Sequence, residues 1–296
     1  MENCKDIISD ANNLYQGFKD TKKSSGWKDA TQKFELNWLP EIAELQKELQ
    51  DFTYESGGKS TFVLNERGKT RLIHGSIVRD RVVRHALCDN YLVPTLRTKL
   101  VYDNCASLPD KGIDMCRRRL KVHLQKFYRK YGTNEGYILL VDFSGYYDNL
   151  HHDKVLKSVG DVIKDEYCIE FLKNVFKTFE PDVSYLSEED FDNAMETKFS
   201  ALDNHKLLLS SKMHGEKFLK KSVDIGDQCS QIIGVYYPTR IDNYIKTVCG
   251  EKFYGRYMDD FYIISNSKEH LNELLIEIKK ITDSMGIIIK QYGNNN

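Results

Sequence analysis

The chain has 296 residues, 41% of them hydrophobic and 29% charged, with a formal net charge of −1. That is enough apolar material to bury a sizeable core, which excludes a disordered tail, and the near-neutral balance gives no global signature of a polyanion binder. Seven scattered cysteines without a Cys-x-x-Cys pair argue against a zinc site or a disulfide framework, and no run of about 18 apolar residues marks a membrane span, so the expected location is cytoplasmic.

Residues 1–55 read as a helix, a break and a second helix, with Trp38, Leu39, Ile42, Leu45 and Leu49 near helical spacing and Pro40 close to a helix start, where proline is tolerated. Ser56-Gly57-Gly58-Lys59-Ser60 reads as a flexible joint and lacks the spacing of a phosphate loop. Thr61 to Leu64 and Thr70 to His74 flank Asn65-Glu66-Arg67-Gly68-Lys69, a β-hairpin pattern whose basic tip suits gripping phosphates. An ordinary exposed hairpin has the same pattern. Val78 to Leu87 reads as a helix with an apolar face and a basic face carrying Arg79, Arg81 and Arg84, and Met115 to Lys130 reads as a second basic helix. The Arg117-Arg118-Arg119 triplet points several ways around that helix, so not all three can meet one surface. From Arg67 to Lys130 there are sixteen Lys and Arg against five Asp and no Glu, which predicts a face aimed at phosphates.

Ile138 to Val141 is a short apolar run ending in Asp142, the pattern of a buried central strand that presents one acid at its exposed end. His151 and His152 are adjacent and point to different sides, so they read as surface or capping residues rather than metal ligands. Residues 155–180 read as one amphipathic helix with Val159, Ile163, Phe171, Leu172, Val175 and Phe176 on one stripe. A polar, acidic stretch from Pro181 to Lys221 follows, with Ser187 as an N-cap and Asp190 three residues on. Gly226 to Gln231 opens the next helix, which is expected to continue through Tyr236, Pro238 and Asn243. Tyr254 to Ile264 reads as a tight hairpin of two strands with Asp259 and Asp260 at its tip. Leu271, Leu274, Leu275, Ile278 and Ile281 then define a helix from Lys268 to Ser284, capped by Gly286, and Ile287 to Lys290 begin a strand.

Neighbouring aspartates repel each other, so a folded site holds them together mainly where a divalent cation supplies compensating charge. Alone, the Asp259-Asp260 pair reads first as a solvated turn. Asp142 changes that reading. One acid from a strand and a pair from a hairpin make up the set a two-metal phosphoryl-transfer site needs, one ion activating a 3′-hydroxyl and the other holding the triphosphate. Magnesium is the natural ion for all-oxygen ligands, with manganese as its substitute.

Val141-Asp142-Phe143-Ser144-Gly145-Tyr146-Tyr147-Asp148, Ile225-Gly226-Asp227-Gln228-Cys229-Ser230-Gln231 and Tyr257-Met258-Asp259-Asp260 resemble, in this order, the three palm motifs of reverse transcriptases. The flavour is bacterial, similar to group II intron and diversity-generating retroelement enzymes, and the resemblance covers residues 60–290. It implies an α+β right-hand polymerase fold, with a palm of antiparallel sheet backed by helices and with helical and hairpin fingers. The implied domains are an N-terminal helical segment (1–55), fingers (56–135), palm (136–182 and 223–296) and an insertion (183–222). The family's Asn-x-x-Lys-Thr segment and helical thumb are expected to be absent from this chain.

The activity implied is RNA-directed DNA polymerisation, with Asp142, Asp259 and Asp260 as catalytic residues and ligands of two magnesium ions and the Phe143 carbonyl as a further ligand. Arg71, with Lys69 second, is implied to hold the triphosphate. Tyr147, five residues after Asp142, is implied to exclude a 2′-hydroxyl from the sugar site, although periodicity alone reads it equally as a core tyrosine. Gly226 and Gln231 are implied to line the nascent base pair, and Arg79, Arg81 and Arg84 to touch the template. Most reverse transcriptases carry glutamine before that glycine. Here Ile225 stands there, and the aliphatic-Gly-x-x-x-Ser-Gln pattern resembles the diversity-generating branch, whose enzymes copy adenines inaccurately. The implied partners are an RNA template, a DNA primer and product, dNTPs and an accessory protein, with no membrane, and the insertion reads either as a partner surface or as an elaboration between the motifs. The competing expectation is a defence-associated or truncated palm protein that binds nucleic acid with little templated synthesis.

Overall fold

Among the described residues, two antiparallel sheets carry the strands of this α+β chain. The computed structural model describes residues 3–66, 68–211 and 213–290, so Arg67 of the basic hairpin tip and the 291–296 end of the second palm segment lie outside the described residues. The chain forms two compact units, one of Met1–Thr98 with His151–Ile233 and one of Lys99–Leu150 with Gly234–Asn296. Residues 56–135, expected as fingers, contribute to both.

The first unit begins with four helices, Cys4–Ile8, Ala11–Ser25, Asp29–Leu36 and Trp38–Asp51. Asn3 and Asp10 cap the first two by accepting the N–H groups of Asp6 and Asn13. Ile42, Leu45 and Leu49 are buried as the spacing predicts, whereas Leu39 is exposed. Strands β1 (Lys59–Glu66) and β2 (Lys69–Ser76) form the expected hairpin, with Glu66 opposite Lys69.

The Val78–Leu87 helix has the predicted limits and buries Val82, Val83, Ala86 and Leu87. Its Arg84 overturns an expectation. The side chain is 4% exposed, ion-paired with Asp227 and donating to Ser76 Oγ at 2.7 Å, so it is not available to a template backbone. A charge this deep persists only with a partner.

Residues 155–180 are two helices, not one: His152–Gly160 and Glu166–Lys177. Asp165 restarts the chain by accepting the Cys168 N–H at 3.0 Å, and the predicted stripe is buried across both helices. His152 is buried rather than superficial, its Nε2 donating to the Ser222 carbonyl at 2.6 Å, while His151 occupies the N-cap position. In the insertion, Ser187 accepts the Asp190 N–H at 3.1 Å and donates to the Asp190 carboxylate at 2.7 Å, heading the Glu188–Glu196 helix as predicted. Val183, Phe199 and Leu219 give this region a small core of its own.

The second unit holds strands β3 (Tyr137–Asp142), β4 (Tyr254–Tyr257) and β5 (Asp260–Ser265) in the order β3-β5-β4. The central strand is β5, buried along its length except at Asp260. β3 is therefore an edge strand among the described residues, not the central one expected, and Ile138 and Leu140 are exposed. An apolar run carries no record of which strand lies beside it. The helices Ile113–Tyr131 and Lys268–Met285 back the sheet. Phe127 of the first packs with Phe253, Tyr262 and Ile264, and Leu271, Leu274 and Ile278 of the second are buried. Gly286, at φ +73°, ends that helix as a left-handed cap. The chain then runs beside the end of β3, with Ile289 opposite Phe143, the Ser144 N–H donating to the Ile288 carbonyl at 2.6 Å and the Lys290 N–H to the Asp142 carbonyl at 2.8 Å.

The helix expected to pass through Pro238 instead ends as Gln228–Tyr236, and a new one, Thr239–Asn243, starts after the proline, whose ring leaves no N–H for a continuous ladder. No described helix is long and apolar enough to cross a membrane.

Candidate active site

Strands β4 and β5 are joined by a two-residue turn, Met258 and Asp259, because Tyr257 pairs with Asp260. Met258 takes a left-handed φ of +55°, which a turn this tight requires of a central residue. Asp142, the last residue of β3, lies directly opposite Asp260, the first of β5. Residues directly opposite in a ladder send their side chains to the same face. The Phe143 N–H donates to the Asp259 carbonyl at 3.3 Å and fastens the turn to the strand end. Asp142, Phe143, Asp259 and Asp260 are thus brought together by backbone pairing alone.

Like charges facing each other destabilise a ladder, and the fold supplies one answer to this pair. Lys290 Nζ approaches Asp142 Oδ2 to 3.2 Å. Among the described residues, no three His, Cys, Asp or Glu side chains are already gathered as a metal cage. Magnesium needs none, since it keeps several waters and takes one or two carboxylates together with substrate phosphates. The donor set fits such an ion: three carboxylates and a backbone carbonyl, all hard oxygen, at a place where the chain already puts an ammonium.

The residue that fixes this turn was not singled out from the sequence. Arg256 is fully buried on β4 and makes a two-pronged ion pair with buried Asp242, Nε to Oδ1 at 2.8 Å and Nη2 to Oδ2 at 2.7 Å. Its Nη1 donates to the Met258 carbonyl at 2.7 Å and Nη2 to the Val235 carbonyl at 2.8 Å. Tyr254 also donates to Asp242. One guanidinium therefore holds the strained peptide beside the acids, the end of one helix and the carboxylate of the next. A charged residue inside an otherwise apolar strand was the available signal.

Tyr147 opens a short 3₁₀ turn, Tyr147–Asn149, in the same unit. Its ring meets that of Tyr146 edge-on at 5.4 Å, and its phenol is pushed to higher pKa by burial and then by the charge of Asp259.

The other predicted residues belong to the first unit. Lys69 is exposed and Arg71 half-buried on β2, opposite Glu66 and Leu64. Gly226 has φ +107°, and a Cβ there would stand 3.4 Å from the His74 carbonyl. The His74 N–H donates to the Ile225 carbonyl at 3.3 Å and Lys59 Nζ reaches Asp224 at 2.9 Å, so the hairpin is latched to the loop that carries Gly226. Burial pushes the Asp224 carboxyl up to about 6, against the pull of Lys59. Burial also lowers His74 to about 4, so at pH 7 it meets Asp224 at 3.6 Å as a neutral imidazole rather than as an ion-pair partner. Asp227 caps the next helix by accepting the Cys229 N–H at 2.9 Å, and Gln231 lies on its exposed side. The predicted residues thus fall into two sets, the acids with Phe143 and Tyr147 in one unit, and Lys69, Arg71, Gly226 and Gln231 in the other.

Residues 63–292 match the family model described as Reverse transcriptase (RNA-dependent DNA polymerase). No curated protein matches the chain. Among solved structures, apo telomerase of Candida tropicalis truncated from its C-terminal domain aligns with a TM-score of 0.50 at 13% identity, over 81% of this chain and 51% of that one. Two further structures, apo telomerase of Candida tropicalis and a Candida albicans telomerase with a fragment of telomeric RNA, give TM-scores of 0.48 and 0.47 at 15% and 14% identity, over 80% and 81% of this chain and 44% and 43% of theirs. The chain spans about half the length of these telomerases or less, and at 13% identity the likeness to the first is one of fold. With a palm-type polymerase fold, three ordered palm motifs and a family match over most of its length, the chain belongs to the reverse transcriptase (RNA-dependent DNA polymerase) family.

Proposed function

We propose that this chain is an RNA-directed DNA polymerase that adds dNTPs to a primer 3′-hydroxyl. The observation that carries the reading is the pairing of Asp142 with Asp260 across β3 and β5, with Asp259 tied to Phe143 beside them. Asp142, Asp259, Asp260 and the Phe143 carbonyl would hold two magnesium ions. Bound there, the metal would lower the pKa of the 3′-hydroxyl and neutralise the triphosphate. The chain's own residues do the rest. Arg71, assisted by Lys69, holds the triphosphate, Tyr147 excludes the 2′-hydroxyl, Gly226 and Gln231 line the nascent pair, and Arg256 keeps the turn in shape.

An RNA template and a DNA primer are the partners this assigns, with 56–135 acting as fingers, 136–182 and 223–296 as palm, and the 183–222 insertion as the surface for an accessory protein. Ile225, in place of the usual glutamine, supports a bacterial enzyme of the diversity-generating type, in which a residue unable to hydrogen-bond the new pair loosens discrimination. A second reading, a palm protein that binds nucleic acid with little synthesis, is favoured by the Lys290 ammonium on Asp142. Primer extension on an RNA template separates the two. The first reading requires magnesium-dependent extension by the unsubstituted chain, whereas retardation of the template with no extension supports the second.

A further inference from the structure

Several glycines of the second unit have no room for a side chain, among them Gly136, Gly234 and Gly255, and Gly234 is the one that stands against Tyr147. Gly234 lies in the Gln228–Tyr236 helix, and a Cβ built on it would stand 2.8 Å from Tyr147 Oη, 3.0 Å from Cζ and 3.2 Å from Cε1. Glycine inside a helix is destabilising, so its presence there asks for a packing reason, and the Tyr147 ring supplies one.

The helix side of this contact cannot easily give way. The Tyr146 hydroxyl donates to the Gly234 carbonyl at 2.8 Å. The next carbonyl, of Val235, takes Arg256 Nη2 at 2.8 Å and Asn104 Nδ2 at 3.5 Å. Two successive carbonyls are therefore clamped by buried donors, which holds the helix backbone in place. On the other side, the Tyr146 ring stands edge-on to Tyr147. Tyr147 is seated between an aromatic wall and bare helix backbone.

We propose that Gly234 is the positioning residue that seats Tyr147, and so sets how strongly the enzyme prefers deoxyribonucleoside over ribonucleoside triphosphates. The proposal rests on the reading of Tyr147 as the residue that excludes the 2′-hydroxyl. Exclusion by contact depends steeply on distance, so a ring that loses its seat loses discrimination before it loses turnover. Alanine at 234 supplies the Cβ that the ring cannot accommodate. The hydroxyl end must swing off the helix.

The test is single-nucleotide incorporation by the full chain on an RNA template with a DNA primer, comparing kcat/KM for a dNTP and the matching rNTP. Gly234→Ala is expected to lower the dNTP preference about tenfold, the scale on which a misfitted methyl group alters selection, with dNTP incorporation falling less than that. Adding Tyr147→Phe removes the nearest clashing atom and is expected to recover part of the preference. A preference unchanged in Gly234→Ala, whether both substrates slow in parallel or neither does, overturns the proposal. A crystal structure of Gly234→Ala gives a reading independent of turnover: Tyr147 is expected to leave its place beside residue 234, and a ring that stays put beside the new methyl overturns it. If the unsubstituted chain incorporates no dNTP, the assigned activity is what fails, and the crystal structure still decides the seat.

Discussion

Asp142 and Asp260 stand directly opposite each other where β3 ends and β5 begins, two carboxylates on one face of one ladder. The arrangement has a cost in the absence of a cation, and Lys290 meets part of it at 3.2 Å from Asp142. In Lys290→Gln the two acids lose that ammonium. Because the pair is partly exposed, the loss of stability in EDTA is expected to be modest, about 0.2–1 kcal/mol. The stabilisation gained on adding magnesium should be larger in the variant than in the parent, as the ion no longer competes with the lysine. Thermal unfolding with and without the metal checks both, and an equal magnesium response in the two proteins would remove Lys290 from the site.

Arg256 and Asp242 are both fully buried, so removing either leaves an unpartnered charge in the core. Arg256→Ala or Asp242→Ala is expected to cost about 3–5 kcal/mol, whereas replacing both with apolar residues of similar volume should cost much less. Denaturant unfolding of the two single variants and of Arg256→Met with Asp242→Leu measures the difference. A double variant that loses as much as Arg256→Ala, with Asp242→Ala losing much less, would show that the backbone bonds to Met258 and Val235, rather than the ion pair, carry the energy.

Arg71 is assigned to the triphosphate alone. Arg71→Ala should therefore raise KM for dNTPs about tenfold, the value of one charge-assisted contact, with a smaller effect on kcat, and Lys69→Ala should do less. Steady-state incorporation kinetics decide it. A fall in kcat at unchanged KM would place Arg71 in the chemical step instead.

Burial lowers His74, His123 and His152 from 6.5 to about 4. Folded values below the unfolded value mean that each contributes stability that is whole above pH 6.5 and is lost as the pH falls toward 4. Denaturant unfolding followed over this range should show the decline. His152→Gln, which can still donate to the Ser222 carbonyl, should decline less steeply. Parallel slopes in the parent and the variant would contradict the buried neutral state of His152.

Periodicity and turn chemistry made much of this legible from residues alone. The Val78–Leu87 helix, the two hairpins, the Ser187 cap and the Gly286 stop all follow from local pattern, and so does the delivery of Asp142 to a strand end. What stayed hidden is pairing between distant residues. The apolar run before Asp142 reads as a central strand because sequence does not say that β5 takes the middle. Arg84 reads as a surface contact because its partner, Asp227, lies 143 residues away. The stripe across 155–180 concealed a break because apolar spacing continued through it, and only Asp165, a good N-cap, marked the restart. Of the site, the acids were readable and their support was not. Arg256, Asp242 and Gly234 act through contacts that exist only once the chain has folded.

The most direct measurement is magnesium-dependent extension of a DNA primer on an RNA template by the full chain and by Asp259→Ala. Incorporation is expected from the parent, with a loss of at least about a thousandfold in the variant, the scale of transition-state charge stabilisation, and with thermal unfolding little changed. Extension by Asp259→Ala at a rate near that of the parent would contradict the assignment of these carboxylates to the chemistry.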